Sequence, residues 1–448
     1  MAIEDRGSRG SGRGGRRRSE EQPDTEQPAA APIAASPDEL LLAALERGGD
    51  ALTTGRHLVT FREGLVEEGV RMLADRGLRM ADARDFEDQS VRMAEVTDAD
   101  ALTFPEIGVA VIAGEAAEGF GLEALASGEE SSSFVIEPEY FAFAESADYM
   151  RGFLSAANAI GRDLQVLPPE EDEDEEMSPE VLGATWGLAR CRVPPSSRSG
   201  SGIRVAVLDT GFDLGHPDFA GRSVFGQSFV GQPVQDLHGH GTHCIGTATG
   251  TKAPFGTTPR YGIAFGSRIF VGKVLSNSGS GSGASVLAGM NWAIANRCEV
   301  ISMSLGSQSP VQAAYTAAGQ AALSTGCLII AAAGNAASQT GAPANSPTIM
   351  SVASLDSTLK PSSFSNFGKI EIAAPGRDVF SSWPRPTRYR TISGTSMATP
   401  HVAGCAALWA QSSSSLRGMA LWRRLRSSAR RLPLPASKVG AGLVQAPP

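Results

Sequence analysis

The sequence predicts an α/β protein with a parallel central sheet and helices on both faces, preceded by a small α+β domain. Three observations carry that expectation. Beyond Gly202 the apolar residues fall in short unbroken runs, at 205–208, 269–275, 300–305, 327–333, 348–353 and 370–374, separated by Gly-rich turns and helical patterns. Unbroken runs belong to strands covered on both faces, the usual condition of a parallel sheet. Ahead of them the elements read strand, helix, strand, helix, strand, which suits an α+β unit. Between the two parts stand Pro168-Pro169 and the acidic run from Glu170 to Glu176, whose mutual repulsion suits a linker.

Taken in order, residues 1–37 are Gly, Arg, Ser, Pro, Gln and Ala with few apolar groups, and read as a disordered tail. Asp-Glu-Leu-Leu-Leu after Pro37 reads as a short helix and 58–61 as a strand ended by Gly64. Val66, Val70 and Leu73 at helical spacing, with Glu67, Glu68, Arg71 and Asp75 opposite them, predict an amphipathic helix. After a polar stretch at 81–103 come a strand at 107–112, a helical turn at 122–126 and strands over 134–143 broken at Pro138. These elements make a domain at 50–145. A helix at 146–164 and the acidic linker fill 146–180, and the larger domain runs over 181–446.

Composition excludes several classes. The 448 residues carry a net charge of −9 and are 42% hydrophobic, with no apolar stretch long enough to span a bilayer. The Arg-rich first 21 residues lack the apolar core of a secretory signal, so the expectation is a cytoplasmic protein, with export by an unrecognised route as the alternative. Basic residues gather at Arg16–Arg18 and again from Arg423 to Arg431, without the folded basic face and interleaved aromatics of a nucleic-acid binder. The five cysteines are widely spaced, with no C-x-x-C pair, and read as reduced buried thiols.

In parallel α/β sheets active residues gather at the carboxyl ends of strands. Asp209 directly ends the run 205–208; its plain alternative is a turn residue. His240 lies in Asp236-Leu-His-Gly-His-Gly-Thr-His-Cys244, which holds three of the chain's six histidines. A zinc site is the rival reading, but neither H-E-x-x-H nor a cysteine pair is present. If His240 opens a helix, Cys244 lies one turn on, beside the imidazole, and His238 and His243 are structural. Asn335 follows the run 329–333 and Gly334, where a held amide can donate to an oxyanion or simply tolerate a left-handed turn. Ser396 sits between Gly394-Thr395 and the apolar run 397–410, at a helix start whose free N–H groups favour negative charge; its alternative is an N-cap.

The four plain alternatives become hard to sustain together. In the order Asp, His, Asn, Ser, the motifs Val-Ala-Val-Leu-Asp209-Thr-Gly, Gly-His240-Gly-Thr-His, Ala-Ala-Gly-Asn335 and Gly-Thr-Ser396-Met-Ala-Thr-Pro-His-Val-Ala-Gly resemble those of the subtilisin-like serine proteases. The resemblance covers roughly 186–446. Cys244 and the stretch Ser363-Phe-Ser-Asn-Phe-Gly368 look more like the proteinase K group than subtilisin itself. Residues 58–143 are similar to the family's inhibitory propeptide, by element order and Phe134-Val-Ile-Glu-Pro.

The resemblance implies a subtilisin-like fold, a ferredoxin-like propeptide that covers the active site until autocleavage, and a serine endopeptidase. It makes Asp209, His240 and Ser396 the triad and Asn335 the oxyanion donor. Polypeptide substrate would lie extended between Ser280-Gly281 and Ser304-Leu305-Gly306, with Ala332, Ala333 and Gly334 lining a roomy apolar pocket. The expected partners are polypeptides and the chain's own propeptide, with no nucleic acid or membrane, and the enzyme is expected to be a monomer. No cofactor is expected. Calcium is common in the family and Asp218 matches one ligand position, but residues 251–261 lack the Asn-rich loop that completes such a site. The glycines at 279–283 fit no nucleotide-binding spacing. Two rivals remain: a catalytically silent protein of this fold, and an esterase, disfavoured because G-x-S-x-G is absent and the acid precedes the histidine.

Overall fold

In the computed structural model, which describes residues 31–47, 53–121, 133–144 and 183–448, the first domain follows helix α1 (Pro37–Arg47). It runs β1 (Thr53–Phe61), α2 (Val66–Asp75), β2 (Met80–Asp82), β3 (Ala101–Phe104), β4 (Val109–Ile112), α3 (Gly114–Gly119) and β5 (Phe134–Ala144). The strands lie in the order β5-β1-β4-β3-β2. Apart from the short β2 this is the β-α-β-β-α-β plan of a ferredoxin-like unit.

The two-residue period of its strands sends side chains to two different cores. Val59, Phe61, Ala110 and Ile112 meet Leu73 and Ala117 on the face with α2 and α3. Leu58, Leu102, Val109 and Val111 belong instead to a core shared with Leu287, Met290 and Ala318 of the larger domain. The first domain is therefore docked through a whole sheet face.

The larger domain is built on seven strands in the order β14-β13-β12-β10-β6-β8-β7: β6 (Arg204–Asp209), β7 (Val224–Ser228), β8 (Arg268–Lys273), β10 (Val300–Met303), β12 (Leu328–Ala332), β13 (Met350–Leu355) and β14 (Ile372–Pro375). Every pairing in it is parallel. Val205 and Val207 face one core while Ala206 and Leu208 face the other, which is why these strands read as unbroken apolar runs. Helices α4 (Trp186–Arg190), α5 (His240–Thr249), α6 (Gly283–Ala295), α7 (Ala313–Ser324), α8 (Thr395–Ser412), α9 (Gly418–Ser428) and α10 (Ala436–Val439) complete it, with short edges β9 (Ser280–Ser282) and β11 (Leu305–Gly306) and a hairpin of β15 (Val379–Ser382) and β16 (Tyr389–Ile392).

Helix capping joins the domains. Glu137 accepts from the N–H groups of Ala313 and Ala314 at the start of α7, and Glu139 accepts from Ala284 at the start of α6. Carboxylates at these positive helix ends are favourable. Glu139 also takes a bidentate Arg56 guanidinium at 2.6 and 3.0 Å. Both ions are buried, so removing either partner alone would cost about 3–5 kcal/mol.

Several expectations are corrected. Residues 31–36 are not tail: Ala31 and Ile33 are buried, and their carbonyls accept from Gly114 N–H and the Arg56 guanidinium. β3 lies within the stretch that reads as polar, because its four buried residues are flanked by acids. β5 passes unbroken through Pro138, whose missing N–H falls beside a register shift in the β1 ladder. β7 is an edge strand with Phe225 exposed and lacks an apolar run. The turn at 122–126, the helix at 146–164 and the acidic linker lie outside the described residues. Among those described, no helix is long and apolar enough to cross a membrane, which lends no support in itself to a cytoplasmic location.

Candidate active site

Asp209 is the last residue of β6 and His240 the first of α5. His240 Nδ1 lies 2.8 Å from Asp209 Oδ1, with both side chains buried. Thr210 N–H also donates to that oxygen, at 2.7 Å. Since a carboxylate can only accept, Nδ1 carries the proton and the lone pair falls on Nε2. Burial alone would lower the imidazole pKa, but the Asp209 charge outweighs it and holds the group well above its ordinary value.

Ser396 is the second residue of α8. Pro400 stands one turn further on and cannot donate to the Ser396 carbonyl. Ser304 Oγ, at 2.7 Å, and Cys244 Sγ, at 3.6 Å, donate to it instead. Cys244 Sγ is also 3.9 Å from His240 Nδ1, so one thiol touches both the serine's main chain and the histidine. Ser396 Oγ lies 3.4 Å from the Ser304 carbonyl.

Asn335 follows β12. Its Oδ1 accepts from Thr395 N–H at 2.8 Å and Thr395 Oγ1 at 2.9 Å. A backbone N–H is only a donor, so this contact identifies the accepting atom as Oδ1 and makes Nδ2 the amide's donor. The Asn335 amide is thus tied to the start of α8 by two hydrogen bonds.

The last residues of β5 lie between the two short edges. Phe141, Ala142 and Phe143 pair antiparallel with Ser282, Gly281 and Ser280, while Phe143 and Ala144 pair antiparallel with Gly306 and Leu305. Ala144 N–H donates to Gly279 at 2.9 Å. Ser280, Gly281, Leu305 and Gly306 are therefore brought together around an extended segment of the same chain, with Ser304 next to that edge. Of the residues expected to line the pocket, Gly334 has a φ of +110°, and a β-carbon there would strike Asn366 Nδ2 at 2.2 Å. The Ala333 methyl is packed into the core on the α8 face, so that position offers only main chain. Ala332 ends β12 and is buried. Gln308 Nε2 lies 3.4 Å from where β-carbons at Gly334 and Gly341 would stand, which puts a polar amide at a pocket expected to be apolar.

Two positioning residues escaped sequence reasoning. Asp236 is buried; its Oδ1 accepts from His238 and Gly239 N–H and Thr210 Oγ1, and its Oδ2 from Thr242 N–H and Oγ1. It holds the turn that delivers His240, and an acid four residues ahead of the histidine was its signal. Asn366 accepts from Ala336 and Ser338 N–H and donates to Ala333 and Gln339, shaping the loop after Asn335.

The histidines do not converge as zinc ligands. His243 Nε2 is held by the carbonyls of Val379 and Arg390; it is buried and pushed down to about 3, a neutral donor. Asp209, His240 and Cys244 each bring one ligand atom within 4.8 Å of the others, but the His240 nitrogen there is committed to Asp209. Asp218, which matches a calcium-ligand position in some relatives, accepts from Tyr261 Oη at 2.6 Å and Tyr389 Oη at 3.0 Å through Oδ2, and from Phe255 N–H at 3.2 Å through Oδ1.

The model of the subtilase family, Peptidase_S8, matches residues 200–442. The chain belongs to the subtilase family. Over 282 residues it is 40% identical to an alkaline protease of Alkalihalobacillus alcalophilus, covering 61% of this chain and 72% of that one. It is 41% identical over 268 residues to subtilisin Savinase of Lederbergia lenta, covering 58% and 96%, and 38% identical over 288 residues to a cuticle-degrading serine protease of Arthrobotrys oligospora, covering 59% and 68%. The crystal structure of a cold adapted subtilisin-like serine proteinase superposes with a TM-score of 0.54 at 36% identity, over 59% of this chain and 99% of that one. The fold is subtilisin-like and the protein is a serine protease.

Proposed function

We propose that this subtilase is an endopeptidase made as a precursor, with Asp209, His240 and Ser396 as its triad and Asn335 as an oxyanion donor. The observation that carries the reading is the segment 141–144, held as an added strand between β9 and β11. That is how an extended polypeptide binds a sheet edge. In the precursor the chain occupies its own groove, and substrate takes that place once the first domain has left.

The chemistry follows from the hydrogen bonds. With Nδ1–H committed to Asp209, His240 Nε2 takes the Ser396 proton as Oγ attacks the peptide carbonyl. The tetrahedral oxyanion is met by Asn335 Nδ2 and by the Ser396 N–H at the helix start. Asp209 stabilises the imidazolium, which then protonates the leaving amine, and water hydrolyses the acyl-enzyme by the same route. No step calls for a metal or cofactor.

Asn335→Ala tests the oxyanion assignment. Turnover of a peptide amide should fall by about 10²–10³, the scale seen when one such donor is lost from subtilisin, while KM moves little. An unchanged kcat would remove Asn335 from the mechanism. Comparing amide with ester substrates separates the endopeptidase from the esterase reading.

A further inference from the structure

Asp38, in the first turn of α1, places Oδ1 among three hydroxyls: Ser276 Oγ at 2.8 Å, Ser278 Oγ at 2.6 Å and Ser280 Oγ at 2.8 Å. These hydroxyls stand 2.6–3.2 Å from one another. Donors gathered so closely on one anionic oxygen form a strong, charge-assisted set. Ser276 and Ser280 are buried, as is Lys273. The Lys273 ammonium donates to the Thr210 carbonyl and to Asn277 Oδ1. Burial lowers its pKa to about 8, against the pull of Asp236, Asp209 and Asp38, so it is mostly cationic at neutral pH. Gln232 steadies the same loop by accepting from Asn277 N–H at 2.8 Å.

The position of this cluster along the groove follows from register. Ser280 is directly opposite Phe143, and opposed residues of an antiparallel pair project to the same face. That face is covered by α1, whose Leu40 packs on Phe141 and Phe143. Removal of the first domain takes α1 and Asp38 with it, leaving the hydroxyls facing whatever side chain replaces Phe143.

We propose that Ser276, Ser278 and Ser280, backed by Lys273, form a carboxylate-binding subsite that favours Asp or Glu at the substrate residue taking the place of Phe143. The proposal rests on the endopeptidase reading, in which substrate adopts the course of residues 141–144. In the precursor, Asp38 is the subsite's occupant.

Quenched fluorescent peptides of one sequence, with Glu, Gln, Ala or Lys at that position, test it on the protein produced as the full chain and allowed to activate. The expected kcat/KM for Glu exceeds that for Gln by about 3- to 10-fold, mainly through KM, with Lys lowest. Added salt should shrink the preference, and Ser278→Ala, at an exposed position, should bring the Glu-to-Gln ratio towards one. Equal cleavage of the Glu and Gln peptides by the unaltered enzyme would overturn the subsite and leave the endopeptidase standing, and the unaltered enzyme decides this even if the variant misfolds. A ratio unchanged in Ser278→Ala would overturn it too. Failure to cleave any of the four peptides, Ala included, would overturn the endopeptidase reading and the subsite with it.

Discussion

Ser396→Ala is expected to abolish casein hydrolysis, with turnover falling by roughly 10⁶, the scale on which a subtilisin loses activity when its nucleophile is removed. Labelling by a fluorophosphonate should vanish with it. The expectation rests on position: Ser396 lies at the start of α8, its carbonyl is held by Ser304 and Cys244, and the neighbouring Thr395 is tied to Asn335. Alanine fits the same buried space, so the variant should fold as the uncut chain and unfold on heating in a cooperative transition. Retained labelling at another residue would move the nucleophile elsewhere and favour the silent-protein reading for this site.

Asp209→Asn should lower kcat by about 10⁴, the loss that the same change causes in a chymotrypsin-type triad. An amide can donate to the imidazole and trap the wrong tautomer. The pH profile supplies a second readout. His240 must be neutral to act as base, so kcat/KM rises with pH through its pKa, which the Asp209 charge holds well above the ordinary 6.5. Without that charge burial prevails, and the acid limb of the variant should move to lower pH. Burial pushes His243 down to about 3 and His401 down to about 4, so neither titrates in that range. An acid limb that stays in place in Asp209→Asn would show that Asp209 does not set the His240 pKa.

What was legible in the sequence was legible for identifiable reasons. The central strands could be read because both faces of the parallel sheet are covered, which makes residues 205–208 or 328–332 apolar throughout. Asp209, His240, Asn335 and Ser396 could be read because each stands at a strand end or helix start within a short motif. Asp236 and Asn366 were not singled out, since they act largely by binding main-chain groups that any sequence possesses, Asp236 adding two threonine hydroxyls. Asp38 could not be found by spacing: it meets serines 238 to 242 positions away, and only folding brings them together. β3 and β7 failed for a related reason, because a strand of four residues or an exposed edge carries little periodicity. Pro138 misled by a rule that holds for regular ladders and lapses at a register shift.

In the reading proposed for this protein, the chain cuts itself at the groove that residues 141–144 occupy. Ala144 lies opposite Leu305 in an antiparallel pair, and the next residue of that edge, Ser304, has its carbonyl 3.4 Å from Ser396 Oγ. One residue on from Ala144 in the sequence, the cut is expected after Glu145, a residue outside those described. Intact-mass and N-terminal analysis of the purified full chain beside its Ser396→Ala variant tests this most directly. The expected result is a new N-terminus at Ser146 in the unaltered protein and a single uncut chain in the variant. The same cleavage in both proteins, or an uncut but fully active unaltered chain, would contradict it.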